Sequence, residues 1–278
     1  MAIKSILCHM ANDPQHGERL ETAIGLAERF GAHLEVLYNT SPVAMPAGAA
    51  GRAASAAFLA ELTEAARTKA AVIETELVDR FADGNQSHRY TMTEGDHVKV
   101  LANHAHLNDM VVVGQGAPKG HGKYVALHSP EDVALESGCP VLILPFDYIH
   151  PVGEKKLGKR VMVAWKNSKE AIRAVRESYS FLKDADEVHV VTSATEKGEL
   201  AGSSIGRYLS HHDIHAEIHP DIDDHGRVGQ QILQRAESFD CDLLVMGAYG
   251  HSRWREALFG GVTEYVLHHL DRPVLLAH

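Results

Sequence analysis

Four glycines, Gly247, Gly250, Gly260 and Gly261, surround an arginine-bearing loop in "LLVMGAYGHSRWREALFGGVTEYVLHHLDRPVLLAH", residues 243–278. An apolar strand delivering the backbone to Gly247, a loop "AYGHSRWREALFG" and a helix opening near "GVTEYVLHHL" would leave unpaired N–H groups and the positive end of a helix dipole facing one concavity. Such a concavity suits a phosphate. Thr263 adds a hydroxyl in the first helical turn, and Arg253 or Arg255 could contribute charge. Spacing alone leaves two readings open: a phosphate cradle, or a strand-to-helix turn whose glycines serve tight packing. For covalent chemistry the loop offers His251 and Glu256 as its obvious general bases, neither with an evident orienting partner, so no catalytic residue is assigned.

Other residues of the right type fall short on spacing. Among 20 histidines, His104 with His106, His211 with His212, and His268 with His269 are close pairs, but none has the i, i+4 helical spacing beside a carboxylate that a zinc-enzyme helix shows. They read as solvated or core side chains, and no metal site is expected. "GSSIG", residues 202–206, has the letters of a nucleophile elbow, which needs its serine on a strand-to-helix turn, but reads as a helix start capped by serine.

Positioning the glycine loop requires an ordered set of strands and helices, and the chain carries that set twice. "NDMVVVGQ" (108–115) matches "CDLLVMGA" (241–248), and "CPVLILPF" (139–146) matches "RPVLLAH" (272–278), both at an offset of 133. Asp109 thereby pairs with Asp242, Gly114 with Gly247 and Pro140 with Pro273, while "KSILCHMAND" (4–13) resembles "KRVMVAWKNS" (159–168). The expected domains are residues 1–148 and 156–278, joined by the polar "HPVGEKKLGK".

In the second copy, "RVMVAW" and "EVHVVTS" are short strands around the helical "SKEAIRAVRESYSFL". A helix near 203–212, the strand "IHAEIHP", a helix near 226–238, the strand "DLLVMG", a helix near 257–270 and the strand "PVLLA" follow. Strands alternating with helices imply right-handed crossovers and a parallel sheet covered on both faces. The predicted fold class is therefore α/β: two tandem doubly wound, five-stranded, Rossmann-like sandwiches, related by an approximate twofold axis, and not one continuous sheet of ten strands. Ligands of such sheets bind beyond the carboxyl ends of the strands, at the switch point, and Gly247 lies at one such end. The first copy adds "SPVAMPAGAAGRAASAA" (41–57), expected as a mobile loop, before a long helix from about 57 to 82.

Composition narrows the partners. The 278 residues are 45% hydrophobic with a net charge of −10, and no stretch gathers Lys and Arg densely enough for a phosphate-backbone footprint, so nucleic acid is not expected. No apolar run reaches transmembrane length, so no membrane partner is expected. Cys8, Cys139 and Cys241 each sit in or beside an apolar run and read as buried free thiols. With an N-terminus that does not resemble a signal peptide, they give the cytoplasm as the expected compartment.

The spacing Gly247-x2-Gly250-x9-Gly260, followed by "GVTEYV" and "RPVLL", resembles the ATP-binding signature of the universal stress protein family in its tandem, two-domain form. The opening "VAWKNSKEAIRAV" is similar to that family's "VAVDGS". The resemblance implies an adenine-nucleotide alpha-hydrolase-like fold. It also implies that Gly247, Gly250, Gly260, Gly261, Val262 and Thr263 hold ribose and phosphates of ATP, alone or with Mg2+, while Ala164, Trp165 and Met246 border the adenine. Two positions depart from the pattern. Gly261 stands where Ser or Thr usually follows the third glycine, and Lys166 replaces the Asp expected after the first strand; Lys cannot accept hydrogen bonds but could attract phosphate.

The first copy departs further. Counting from Gly114, the second and third glycines become Ala117 and Leu127, and the Gly-Val-Thr run becomes His128, Ser129 and Pro130. "GQGAPKGHGKYV" offers Lys119 and Lys123 but fails the Walker A spacing, with Tyr124 in place of Ser or Thr. The nucleotide is accordingly expected in the second copy only. The resemblance further implies that the closing strands, residues 140–145 and 273–277, pair edge to edge, so that one chain imitates a dimer, with room for a further homodimer.

Three functions are compatible with these residues. The first is a stress-response regulatory protein that binds an adenine nucleotide, with at most a weak ATPase activity, and acts through an unnamed protein partner. The second is a nucleotidyltransferase-like or pyrophosphatase-loop enzyme, against which stands the lack of a His-x-Gly-His cluster and of a Ser-Gly-Gly-x-Asp-Ser loop. The third is an interaction module of the same fold that binds no nucleotide.

Overall fold

The computed structural model describes residues 2–11, 13–40, 52–81, 87–116, 130–151, 156–193, 202–223, 227–248 and 261–278. The first half runs β1 (Ser5–Met10), α1 (His16–Phe30), β2 (His33–Thr40), α2 (Arg52–Arg80), β3 (His88–Glu94), α3 (His97–Ala105), β4 (Met110–Gly114), α4 (Pro130–Ser137) and β5 (Val141–Leu144). The second runs β6 (Arg160–Ala164), α5 (Lys169–Glu177), α6 (Tyr179–Asp184), β7 (Glu187–Ser193), α7 (Ser203–Ser210), β8 (Glu217–Ile222), α8 (Val228–Ser238), β9 (Leu243–Gly247), α9 (Gly261–His268) and β10 (Val274–Ala277).

The strands lie in the order β3-β2-β1-β4-β5-β10-β9-β6-β7-β8. This corrects the expectation of two separate sheets: each half supplies five strands, and the halves merge into one sheet of ten. The junction is the antiparallel pair of β5 with β10, in which Val141, Leu142 and Ile143 face Leu276, Leu275 and Val274; every other strand pair described is parallel. The physical reason lies in the closing strands themselves. Both are buried along their whole length, and a buried edge must find partners for its N–H and C=O groups. The edge-to-edge pairing implied by the family resemblance is what makes the sheet continuous. The strand order also reads the same from either edge, as a local twofold between the halves requires.

Two apolar layers cover the sheet. Side chains of α1, α2, α5, α6 and α7 form the layer on one face, and those of α3, α4, α8 and α9 form the other. The paired aspartates of the repeat have one structural task. Asp109 accepts hydrogen bonds from the N–H groups of Lys4 (2.7 Å) and Ser5 (3.0 Å) at the start of β1. Asp242 accepts from those of Gly158 (2.9 Å), Lys159 (3.0 Å) and Arg160 (3.2 Å) at the start of β6. Each carboxylate thus pins the opening of the strand that neighbours its own.

Local details differ from expectation in three places. Residues 52–57, expected in a mobile loop, are helical, because the alanines of this stretch are strong helix formers; residues 41–51 lie outside the described residues. The stretch 168–182 divides into α5 and α6 at Ser178, whose hydroxyl donates to the Val175 carbonyl (3.0 Å). Finally, α7 is preceded by Gly202, and no side chain caps it, so the serine cap is corrected to a glycine. Gly202 has φ +77°, and a Cβ there would stand 2.4 Å from Cγ2 of Ile218. All three cysteines are buried and unpaired, and burial raises their thiols to about 12 (Cys8), 11 (Cys139) and 12 (Cys241). Among the described residues no helix is long and apolar enough to cross a membrane.

Candidate functional site

In the second half β6 lies between β7 and β9. The chain leaves β6 through α5 on one face and returns to β9 through α8 on the other, which makes the carboxyl ends of β6 and β9 the switch point of this half. Three of the residues singled out from sequence meet there. Ala164, half-buried, is the register partner of Met246, which is buried, and Gly247 ends β9 immediately beyond.

Gly247 is required by packing. A Cβ at this position would lie 2.6 Å from the backbone carbon of Glu170 and 2.7 Å from the nitrogen of Ala171, so the first turn of α5 rests directly on it. That turn is also electrostatically complete. Ser168 caps it by accepting from the Ala171 N–H (3.2 Å), and the Glu170 carboxyl is buried beside it. Burial alone would raise the Glu170 pKa, yet its own backbone N–H, the Ser168 hydroxyl and the Lys169 ammonium outweigh that effect and hold it below the ordinary value. That carboxylate lies at the positive end of α5, and α9 likewise carries one, Glu264, in its first turn.

At the start of α9, Gly261 is exposed, Val262 half-buried and Thr263 buried. Gly261 has φ +37°, a left-handed conformation that side chains seldom adopt. This accounts for glycine where the family pattern prefers Ser or Thr. Gly250 and Gly260 lie outside the described residues, as do Arg253, Arg255, His251 and Glu256.

Beside the switch point, on the α5 and α7 face, lies a cavity of about 430 Å³ walled by Trp165, Asn167, Ser168, Ile172, Ser204 and Tyr208. Its volume falls among those that hold small molecules, roughly 300 to 1,000 Å³. Trp165 joins the two places: its N–H continues the strand ladder to the Val191 carbonyl (2.8 Å), and its indole is buried in the wall. Its Nε1 has no hydrogen-bond partner among the described residues, a buried donor of the kind that calls for an acceptor. Lys166 follows on the exposed side. Arg176 donates to the Tyr208 hydroxyl (3.1 Å), steadying the far wall. Ser204 and Tyr208 belong to α7, and no local signal in the sequence marks their part in this cavity.

In the first half the matching glycine is crowded by a side chain instead of by helix backbone. A Cβ at Gly114 would meet the Arg19 guanidinium at 2.7 Å. Arg19 is itself buried, pairs with Asp13 (2.7 Å) and donates to the His9 carbonyl. Its α4 begins Pro130-Glu131-Asp132, so two carboxylates already occupy the positive end of that helix. Ala117, Lys119, Lys123, Tyr124, Leu127, His128 and Ser129 lie outside the described residues. Among the histidine pairs, His104 binds Glu35 (2.8 Å), His212 packs on Tyr179 and on Tyr208 of the cavity wall, and His269 stacks on Tyr265.

The pattern of the Universal stress protein family matches residues 2–145 and 158–278. Among solved structures, a universal stress protein from Archaeoglobus fulgidus DSM 4304 is similar with a TM-score of 0.72 and 18% identity over 98% of this chain and 95% of that one. A putative universal stress protein from Pseudomonas aeruginosa UCBPP-PA14 is similar with a TM-score of 0.60 and 17% identity over 99% and 93%. At these identities the two structures speak for the shared tandem fold. No curated protein matches the chain.

Proposed function

The chain belongs to the universal stress protein family, and from that premise we propose that it binds ATP, or another adenine nucleotide, in its second half and works as a stress-response regulatory protein. The observation that carries this reading is the asymmetry between the two switch points. In the first half a buried Arg19–Asp13 pair sets a guanidinium against Gly114, and Glu131 and Asp132 put two carboxylates in the first turn of α4. In the second half α9 opens on Gly261, Val262 and Thr263, with one first-turn carboxylate, Glu264, where α4 has two, and the buried indole N–H of Trp165 faces no partner among the described residues. In this reading Ala164, Trp165 and Met246 border the base. Gly247, Gly250, Gly260, Gly261, Val262 and Thr263 form the sugar and phosphate side, with Lys166 adding positive charge and Mg2+ accompanying the phosphates where it is bound.

Backbone N–H groups bind a ground-state phosphate well but do not activate a water. Hydrolysis is therefore slow, and the bound nucleotide acts by changing which partner the loop 248–259 can contact. Calorimetric titration of ATP into the whole chain tests the reading: one equivalent should bind, and Gly260→Val, which sets a branched side chain against the phosphates, should weaken binding steeply. Two equivalents, no binding, or unchanged affinity in that variant would each defeat it. A steady-state ATPase rate near the enzyme median of about 10 per second, abolished by changing His251 or Glu256, would make the protein an enzyme instead.

A further inference from the structure

The outer two strands of the second half each carry a Glu-x-His sequence: Glu187-Val188-His189 on β7 and Glu217-Ile218-His219 on β8. A period of two places the Glu and the His of one strand on the same face of the sheet, and the register sets His189 opposite Glu217. The result is a three-sided cluster. Nδ1 of His189 lies 3.2 Å from Nε2 of His219, and Oε2 of Glu217 lies 3.7 Å from the first and 3.8 Å from the second. The point equidistant from the corners of a triangle with these sides stands about 2.1 Å from each corner, which is the length of zinc–nitrogen and zinc–oxygen bonds, about 2.0 to 2.2 Å.

We infer that His189, Glu217 and His219 form a binding site for a divalent transition-metal cation such as Zn2+. Two imidazoles and one carboxylate suit that class, whereas Mg2+ and Ca2+ prefer all-oxygen sites. The surrounding residues hold the rings in place. The other nitrogen of His189, Nε2, lies 3.4 Å from Oε2 of Glu187, the outer carboxylate that commonly orients a metal-bound imidazole. Glu187 is in turn gripped by Arg160 through two bonds (2.9 and 2.8 Å), and Arg160 also binds Asp240 (3.0 Å). Phe239 stacks on His189 (ring centroids 4.4 Å apart, 12° between planes) and packs against His219 (4.5 Å). His189 is buried, His219 half-buried and Glu217 exposed. Solvent therefore reaches the cluster from the side of Glu217, where water completes the coordination of a three-ligand site.

The first half provides an internal control. Its matching strands, β2 and β3, pair Glu35 with Arg89, and Thr91 stands two residues on, so the cluster belongs to one copy alone. The proposed site lies toward the amino ends of β7 and β8, away from the nucleotide region at the carboxyl ends, and its success or failure is independent of nucleotide binding. A cation there would tie the outermost strand, β8, to its neighbour.

The test uses the full chain after chelator treatment, titrated with ZnCl2 and separately with MgCl2, alongside His219→Ala and Glu217→Gln. Both changed side chains reach the surface, so circular dichroism should show the fold retained. Because 20 histidines offer scattered weak sites, the deciding quantity is the difference between variants. The unmodified chain should bind one Zn2+ that His219→Ala binds at least about tenfold more weakly, and Zn2+ should raise the Tm of the unmodified chain more than that of either variant. The control Glu35→Gln should behave as the unmodified chain does. Equal Zn2+ affinity and equal Tm shift in the unmodified chain and both variants would overturn the site, as would an equal response to Mg2+.

Discussion

Leu142 and Leu275 face each other across the antiparallel junction at the centre of the sheet, and neither is more than 1% exposed. Around this pair the halves are stitched by side chains. Gln115 donates to the Leu267 carbonyl (2.5 Å) and accepts from the Phe146 N–H (2.9 Å). Arg29 donates to Asp184 (2.6 Å), and Phe30 meets Phe181 edge to face (ring centroids 5.2 Å apart). Halves joined through a common sheet should unfold together. Thermal unfolding followed by far- and near-ultraviolet circular dichroism should show one coincident transition, and Leu275→Asp, which buries an unpaired carboxylate, should abolish it or split it. Two separated transitions in the unmodified chain would contradict this.

Gly247→Ala should cost about 1 to 3 kcal/mol, since the new methyl group meets α5 backbone that can move only with the whole helix. Gly17→Ala is the comparison: nothing lies within 4 Å of a Cβ there, and in the first turn of α1 alanine should be neutral or stabilising by up to about 1 kcal/mol. Urea denaturation of both variants measures the difference. Equal midpoints would show that α5 does not press on Gly247.

Arg19→Leu should destabilise the protein by about 3 to 5 kcal/mol because it strands the Asp13 carboxylate in a largely buried place. Adding Asp13→Leu to the same chain should recover much of that loss. A double variant no more stable than the single one would mean that the guanidinium acts through its contact with Gly114 and the His9 carbonyl, and not through the ion pair.

Acid should weaken the protein early. His9 and His97 are buried and share a hydrogen bond of 2.8 Å. Burial, then Arg19 and His97, hold the His9 pKa well below its ordinary 6.5. An unfolded imidazole takes up a proton that the folded one refuses, so the contribution of His9 is complete above pH 6.5 and is lost as the pH falls below it. The loss approaches about 1.4 kcal/mol per pH unit. Chemical denaturation between pH 7.5 and 5 should show this slope, and the variant His9→Leu with His97→Leu should flatten it. An unchanged slope in that variant would assign the acid sensitivity to other groups.

Much of the fold was legible because it is written in local periodicity. "EVHVVTS" became β7 residue for residue, and the offset of 133 that aligned Asp109 with Asp242 reflected two carboxylates performing one task. Pairing between halves was not legible from the strands, since burial of both faces tells nothing about which edge of β5 remains open; only the family resemblance pointed to β10. The site was legible in part. Ala164, Met246 and Gly247 lie together at the ends of β6 and β9, but nothing local to Gly247 announces that α5 rests on it, and Arg19 gave no sign that it would pack against Gly114. The two Glu-x-His strands were visible as letters, yet 28 residues separate His189 from the second such stretch at Glu217, and only the sheet register brings them together.

A symmetric dimer of identical subunits is bound by its symmetry: one codon change alters both copies of a surface at once. Here the same ten-stranded arrangement is drawn from a single polypeptide, so each half is free to drift alone. The first half sets Arg19 against Gly114 where the second sets the backbone of α5 against Gly247, and β8 carries Glu217 and His219 where β3 carries Arg89 and Thr91. The covalent link thus turns an obligatory pair of twins into siblings, each free to carry side chains that the other lacks.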